Sequence, residues 1–165
     1  LAIEPKMSFG TGHHQTTRLM MKALLSVDID KKTVLDMGTG SGVLAILSSM
    51  LGAEKVLGLD IDRWAIENAR DNVKTNSMGQ IQIDTRKNSS WERKKFDIVL
   101  ANINLNVLLA DLKNYESVLT SSGVIIVSGF LETDCQIIER EALKVNLFIK
   151  DILRENEWIA LILHK

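Results

Sequence analysis

Three glycines at alternate positions, Gly38, Gly40 and Gly42, directly follow the run Thr33 to Met37 and directly precede the apolar stretch Val43 to Leu51. That order narrows the folds open to the chain. A short β-branched and apolar run that stops at glycines and restarts as an apolar helical stretch reads as a strand–turn–helix unit. Glycine tolerates positive φ and has no side chain, so a ligand can lie against the main chain at the start of the following helix. In open α/β sheets, ligands sit beyond the carboxyl ends of the strands, near the point where the strand order reverses. The glycines alone are equally satisfied by a tight turn that binds nothing.

The rest of the chain repeats the unit. Helical periodicity covers His13 to Ser26, and Lys55 to Leu59 reads as a second strand ended by a polar tip. Asp62 is a good cap for a helix over Arg63 to Thr75. Gln80 to Asp84 alternates as a half-exposed strand, and Phe96 to Ala101 is an apolar, buried one. A helix over Asn104 to Leu119, a strand over Val124 to Val127 and a helix over Glu132 to Lys144 follow. Leu147 to Leu153 and Trp158 to Leu163 close the chain as strands joined only by the short link Arg154 to Glu157, which makes them an antiparallel hairpin. Alternation of this kind builds a parallel sheet with helices on both faces. The expectation is an α/β, Rossmann-like fold: a seven-stranded, mostly parallel sheet with an antiparallel last strand, as one domain over residues 1–165.

Asp60 stands at the tip of the second strand, where a carboxylate can accept the ribose hydroxyls of a nucleotide. That feature is shared by dinucleotide and other nucleoside sites. Three details turn the reading from NAD to S-adenosylmethionine. Val43 stands where the dinucleotide fingerprint wants its last glycine or alanine. Asp36, just before the first glycine of the motif, repels a pyrophosphate and suits a cationic methionyl group, directly or through water. The terminal hairpin belongs to a methyltransferase sheet. At the end of the fourth strand, Asn102 offers a side-chain oxygen, and Ile103 a main-chain carbonyl, to a substrate amine. The bland alternative is capping of the next helix, which suits Asn104 better than Asn102. Upstream, Phe9, Gly10 and Thr11 belong to a glycine-flanked stretch that can fold over a ligand; His13, Thr16 and Thr17 then cap the helix that follows.

Composition removes other classes. Lys+Arg 20 against Asp+Glu 21 leaves a net charge of -1, which gives no footprint for direct nucleic-acid binding. A single cysteine, Cys135, forbids an internal disulfide and fits a reducing compartment. His13 and His14 lack further ligands at useful spacing, so no metal is expected. The longest nearly apolar stretch, Val43 to Ala53, is far short of the ~20 residues that span a bilayer. Trp64, Trp91 and Trp158 read as packing residues, and Asn88 to Ser90 as a turn that can meet the base of a nucleotide.

The segments Phe9 to Thr17, Leu35 to Ile46, Gly58 to Asp62, Ala101 to Ile103 and Ser128-Gly129 together resemble the class I S-adenosylmethionine-dependent methyltransferases, and more narrowly the catalytic domain of the ribosomal protein L11 methyltransferase (PrmA-type) family. The resemblance covers essentially the whole chain. It implies the class I methyltransferase fold and S-adenosyl-L-methionine as cofactor. Thr17, Gly38, Asp60 and Asn102 match cofactor-contacting positions, Gly40 and Gly42 continue the glycine motif, and Phe9, Gly10 and Thr11 match a mobile loop over the methionine end. It further implies N-methylation of lysine side chains and the α-amine of the ribosomal large-subunit protein L11, in the cytoplasm, by a monomer. The family's small N-terminal recognition domain is expected to precede this span. A methyltransferase for another protein or a small molecule is the alternative reading.

Overall fold

The glycine motif lands where the chain reverses direction across a sheet. In the computed structural model, which describes residues 1–3 and 14–165, the sheet has seven strands in the order β3-β2-β1-β4-β5-β7-β6. The strands are β1 (Thr33–Met37), β2 (Lys55–Asp60), β3 (Ile81–Thr85), β4 (Phe96–Asn102), β5 (Leu119–Leu131), β6 (Phe148–Glu155) and β7 (Trp158–His164). The helices are α1 (Gln15–Leu25), α2 (Val43–Met50), α3 (Arg63–Thr75), α4 (Leu105–Val118) and α5 (Cys135–Leu143). From β1 the chain winds outward through β2 to β3, then returns to β4 on the other side of β1. The crevice between β1 and β4 is therefore the switch point at which open α/β sheets bind ligands.

Strands β1 to β5 pair in parallel with their neighbours, whereas β7 is antiparallel to both β5 and β6. The expected hairpin forms, with β7 inserted between β5 and the edge strand β6. Residues 159–163 of β7 are all buried because the strand is covered on both faces. Ile159, Leu161 and Leu163 join the cluster under α4 and α5, and Ile162 joins the cluster under α1 and α2.

Local chemistry sets the element ends. His14 is the cap of α1, and its Nδ1 accepts from the Thr16 N–H at 3.3 Å; His13 lies outside the described residues, and Thr16 and Thr17 sit inside the helix. Asp62 caps α3 through the Trp64 N–H at 2.9 Å, and Asn104 caps α4 through the Val107 N–H at 3.1 Å.

Three stretches differ from the sequence expectation. The fifth strand runs from Leu119, and the Ser121-Ser122-Gly123 turn is an irregularity inside it, between the pairings Phe96–Leu119 and Ile98–Val124. The same strand continues past Val127 through a bulge at Gly129. Ser89–Arg93 forms a short 3-10 turn that buries Trp91 in the core, with Asn88 accepting from the Ser90 N–H at 3.2 Å. Side-chain capping thus gives a defined 3-10 conformation to what reads in sequence as a turn.

The insertion of β7 makes its apolar side chains part of both cores. Leu161→Ala is expected to cost about 2–5 kcal/mol by leaving a cavity, whereas Met50→Ala, on a half-exposed side chain, should change stability by less than about 0.5 kcal/mol. Urea unfolding of the two variants checks the contrast.

Candidate active site

A cleft of about 640 Å³ opens at the carboxyl ends of the strands. Its floor is the glycine loop. Gly38, Gly40 and Gly42 have φ of 72°, 55° and 81°, values that L side chains adopt only with strain. The loop is tied to the neighbouring strand, since the N–H groups of Gly38 and Thr39 donate to the Leu59 carbonyl at 2.8 and 3.0 Å. Gly42 caps α2 and packs on α3: a Cβ there would stand 3.2 Å from the Ala69 Cβ. Asn72 of α3 completes the seat by donating from Nδ2 to the Ser41 carbonyl at 2.8 Å. Of the three glycines only Gly38 lines the cleft; Gly40 and Gly42 shape the loop from behind it.

The two acidic candidates take different positions. Asp60 lines the cleft, and its Oδ2 accepts from the Gly40 N–H at 2.9 Å. Its Oδ1 accepts from the N–H groups of Ile61 and Asp62 at 2.8 and 3.0 Å. A carboxylate has roughly four acceptor directions, so three backbone donors fix its plane and leave capacity toward the cleft. Asp36 does not reach the cleft wall. It is 1% exposed beneath the loop, where Thr39 Oγ1 donates to its Oδ2 at 2.6 Å. Burial pushes the Asp36 carboxyl up to about 6; hydrogen bonds from Thr39 and from the Ala45 main chain oppose the rise, and the nearby charge of Asp60 adds to it. Its influence on a ligand is therefore a charge acting through the loop.

At the tip of β4, Asn102 and Ile103 both line the cleft. Asn102 Nδ2 donates to the hydroxyl of buried Thr17 at 3.3 Å, which turns the amide oxygen Oδ1 away from that bond and keeps it an acceptor. The Ile103 N–H donates to the Ser128 carbonyl at 3.0 Å. Its own carbonyl lies against the bulge of β5: a Cβ on Gly129, whose φ is 105°, would stand 2.3 Å from the Ile103 oxygen. Gly129 is thus the residue that permits Ile103 its position, and Ser128-Gly129 was legible in sequence only through the family resemblance.

The far wall comes from residues that the sequence reading did not assign to a ligand site. His14 and Trp158 line it together, their rings edge to face with centroids 5.2 Å apart. The contact joins the start of α1 to the start of β7. Glu155, in the same hairpin, pairs with Arg18 and, at 3.1 Å, with Lys22 of α1, so the helix carrying Thr17 is fastened to the hairpin. Trp158 therefore does more than pack, and its sequence neighbourhood gives no sign of that. Arg86, Ile61 and Val107 complete the wall at the β3 end. Asn88 to Ser90 do not line the cleft. Phe9, Gly10 and Thr11 lie outside the described residues. Among the described residues no group of acidic, histidine or cysteine side chains is arranged to hold a metal, and no helix is long and apolar enough to cross a membrane.

Asp36 makes stability depend on pH with a defined sign. Its carboxyl binds a proton more tightly folded than unfolded, so its contribution is most favourable at low pH and declines as pH rises from about 4 to about 6. Above that window the buried charge costs up to about 3 kcal/mol. Asp36→Asn should remove this decline, gaining stability over the wild type at pH 7 but not at pH 4. Denaturant unfolding at the two pH values checks it; equal effects at both would mean the carboxyl titrates normally.

Comparison with known proteins places this chain in a family. The family described as Ribosomal protein L11 methyltransferase (PrmA) matches residues 1–165. A ribosomal protein L11 methyltransferase of Porphyromonas gingivalis (strain ATCC BAA-308 / W83) is 42% identical over 162 residues, covering 98% of this chain and 56% of the relative. Another, from Phocaeicola vulgatus (strain ATCC 8482), is 40% identical over 161 residues, covering 97% of this chain and 57% of the relative. The chain thus spans a little over half the length of the curated relatives it matches. The crystal structure of ribosomal protein L11 methylase from Lactobacillus delbrueckii subsp. bulgaricus superposes with a TM-score of 0.91 at 32% identity, over 99% of this chain and 83% of that one. The glycine loop, the Asp60 carboxylate and the Asn102–Ile103 strand tip accordingly sit in a Rossmann-like methyltransferase fold, and the chain belongs to the ribosomal protein L11 methyltransferase family.

Proposed function

We propose that this chain is the catalytic unit of an S-adenosylmethionine-dependent N-methyltransferase that modifies lysine side chains and the α-amine of ribosomal protein L11. The observation that carries the reading is the convergence of Gly38, Asp60, Thr17 and Asn102 on one cleft at the strand-order switch. Volume and donor set suit the cofactor. About 640 Å³ falls within the ~300–1,000 Å³ usual for ligand pockets, and the walls offer one carboxylate for ribose hydroxyls and an apolar rim.

When bound, S-adenosylmethionine supplies an electrophilic methyl group on a cationic sulfur. Asp60 accepts the ribose hydroxyls, with its plane already set by three backbone donors. Gly38 lets the ligand approach the main chain, and Asp36, ionised above about pH 6, favours a cation on the other side of the loop. Phe9, Gly10 and Thr11 are assigned to the cover over the methionine end. The acceptor amine is held by Asn102 Oδ1 and the Ile103 carbonyl, both of which accept N–H and so direct the nitrogen lone pair elsewhere. Placement of this kind is the main source of rate when a reaction needs two groups in line. The amine must be neutral before it attacks. An α-amine with pKa near ~8 gives up its proton readily, whereas a lysine near ~10.4 depends on desolvation at the cleft.

On this reading the protein acts as a monomer in the cytoplasm and touches no nucleic acid directly, in keeping with a net charge of -1. Selection of L11 is assigned to sequence that the longer relatives carry beyond the matched span.

Calorimetric titration should give saturable binding of S-adenosylmethionine, none of NAD, and loss of binding in Asp60→Ala. Binding of NAD in preference would overturn the cofactor assignment. In the whole protein, Asn102→Ala should lower methyl transfer to L11 by about 100-fold at saturating cofactor. Unchanged turnover would remove Asn102 from acceptor positioning.

A further inference from the structure

An open sheet offers the unpaired donors and acceptors of its edge strands to any other strand that meets them. Here the edges are β3 and β6. On β6 the pairing with β7 shifts register between Ile149 and Asp151, and Asp151 Oδ1 accepts from the Ile152 N–H at 2.8 Å. A bulge of this kind is a usual defence of an edge. β3 pairs with β2 without a register shift, so its defence lies elsewhere.

The ladder fixes which groups of β3 face outward. The Val56 N–H donates to the Gln80 carbonyl at 3.3 Å, and the Arg86 N–H donates to the Asp60 carbonyl at 2.9 Å. Alternate residues of a parallel strand bond the same neighbour. Gln82 and Asp84 therefore bond β2, and the backbone groups of Ile81, Ile83 and Thr85 point away from it. Local contacts occupy Thr85: its N–H donates to Asp84 Oδ1 at 2.7 Å, and its carbonyl accepts from the Asn88 N–H at 3.1 Å. The Ile81 N–H donates to the Met78 carbonyl at 3.3 Å. Ile83 is closed from α3. Arg70 donates from both Nε and Nη2 to the Ile83 carbonyl, at 3.1 and 2.9 Å. Its side chain borders one hollow of about 440 Å³ and another of about 400 Å³, so it bridges the groove between α3 and β3. The two N–H groups of a guanidinium edge suit this task, since one carbonyl oxygen can accept both.

We infer that Arg70 keeps β3 from pairing with the β3 strand of a second copy of this chain. Two like edges that meet about a twofold axis run antiparallel. A hydrogen-bonded antiparallel pair exchanges the N–H and the carbonyl of each residue. Among the described residues the Ile83 N–H has no acceptor, so Ile83 opposite Ile83 of the second copy lacks only the carbonyl that Arg70 holds. With Thr85 and the Ile81 N–H already occupied, Ile83 is where such a pairing centres. In that register exposed Gln82 stands opposite Asp84 of the second copy. The inference is independent of what the cleft binds.

The test is sedimentation equilibrium of this chain, with amide hydrogen exchange read at Ile83. Wild type should stay monomeric up to about 1 mM, and its Ile83 amide should exchange faster than those of Gln82 and Asp84, which bond β2. Arg70→Ala should dimerise at concentrations at least about tenfold lower, and dimerisation should protect the Ile83 amide. Gln82→Glu added to Arg70→Ala sets like charges opposite one another and should restore the monomer. Gln82→Lys added instead faces Asp84 of the second copy and should tighten the dimer. Association through another surface would not respond to Gln82 with these opposite signs. Arg70→Gln, which keeps part of the stem, takes the place of Arg70→Ala if the circular-dichroism spectrum of the latter departs from wild type. An Arg70 variant that is folded and monomeric at about 1 mM, or a dimer indifferent to the Gln82 substitutions, would overturn the inference. So would a wild-type monomer in which the Ile83 amide is as protected as its neighbours, since that edge would already be closed without Arg70.

Discussion

The hydrogen bond from the Gly40 N–H to Asp60 Oδ2, at 2.9 Å, joins the two sequence motifs on which the cleft depends. It ties the loop after β1 to the tip of β2, alongside the bonds from Gly38 and Thr39 to the Leu59 carbonyl. The loop must run at positive φ to present these N–H groups sideways, which is why side chains are missing at three alternate positions. The same bonds orient the Asp60 carboxylate before any ligand arrives. Much of the entropy of ordering this part of the cleft is thus met on folding, before any ligand binds.

The other half of the cleft depends on the terminal hairpin. Insertion of β7 beside β5 requires β5 to continue beyond Val127, and the register shift between Ser128 and Phe130 falls on Gly129. That bulge lets the Ile103 carbonyl stand against the Gly129 main chain, where any side chain would strike it. The hairpin also brings Trp158 to His14 and Glu155 to Arg18 and Lys22. The last strands of the chain therefore set the entrance to a site whose motifs lie in its first two-thirds. Bulges are common beside functional sites, and here the bulge leaves room for the Ile103 carbonyl.

The parts of this arrangement that rest on local rules were readable before any coordinates. Apolar runs and glycine punctuation give the strand–helix alternation, the short Arg154–Glu157 link gives the hairpin, and strand-tip polarity points to Asp60 and Asn102. What escaped local reading has a nonlocal cause. Gly129 matters because of Ile103, which is distant in sequence, and Trp158 because of His14 at the other end of the chain. Asp36 looked like a ligand contact because a charge beside a glycine motif carries no sign of depth; the Thr39 bond and full burial set it behind the loop. The Ser121-Ser122-Gly123 sequence has turn chemistry, yet pairing of Leu119 with Phe96 places strand on both sides of it.

The distribution of charge follows from the same architecture. Asp36 and Asp60 approach the glycine loop from opposite sides, and their mutual repulsion helps to raise the Asp36 carboxyl to about 6. Two carboxylates around one loop, one of them buried, work against stability at neutral pH. Among the described residues, the fold offsets the cost for Asp60 with three backbone donors and for Asp36 with the Thr39 hydroxyl and the Ala45 main chain. An optimised core would place an amide or an apolar group at Asp36. A carboxylate there makes sense when the ligand on the far side of the loop is cationic, because the attraction then returns in binding what the buried charge removes from folding. Transfer of a methyl group from sulfur removes that positive charge from the ligand. On the proposed cofactor assignment, the electrostatic gain is greater before reaction than after it, which would favour capture of the charged cofactor over retention of the neutral sulfide that remains.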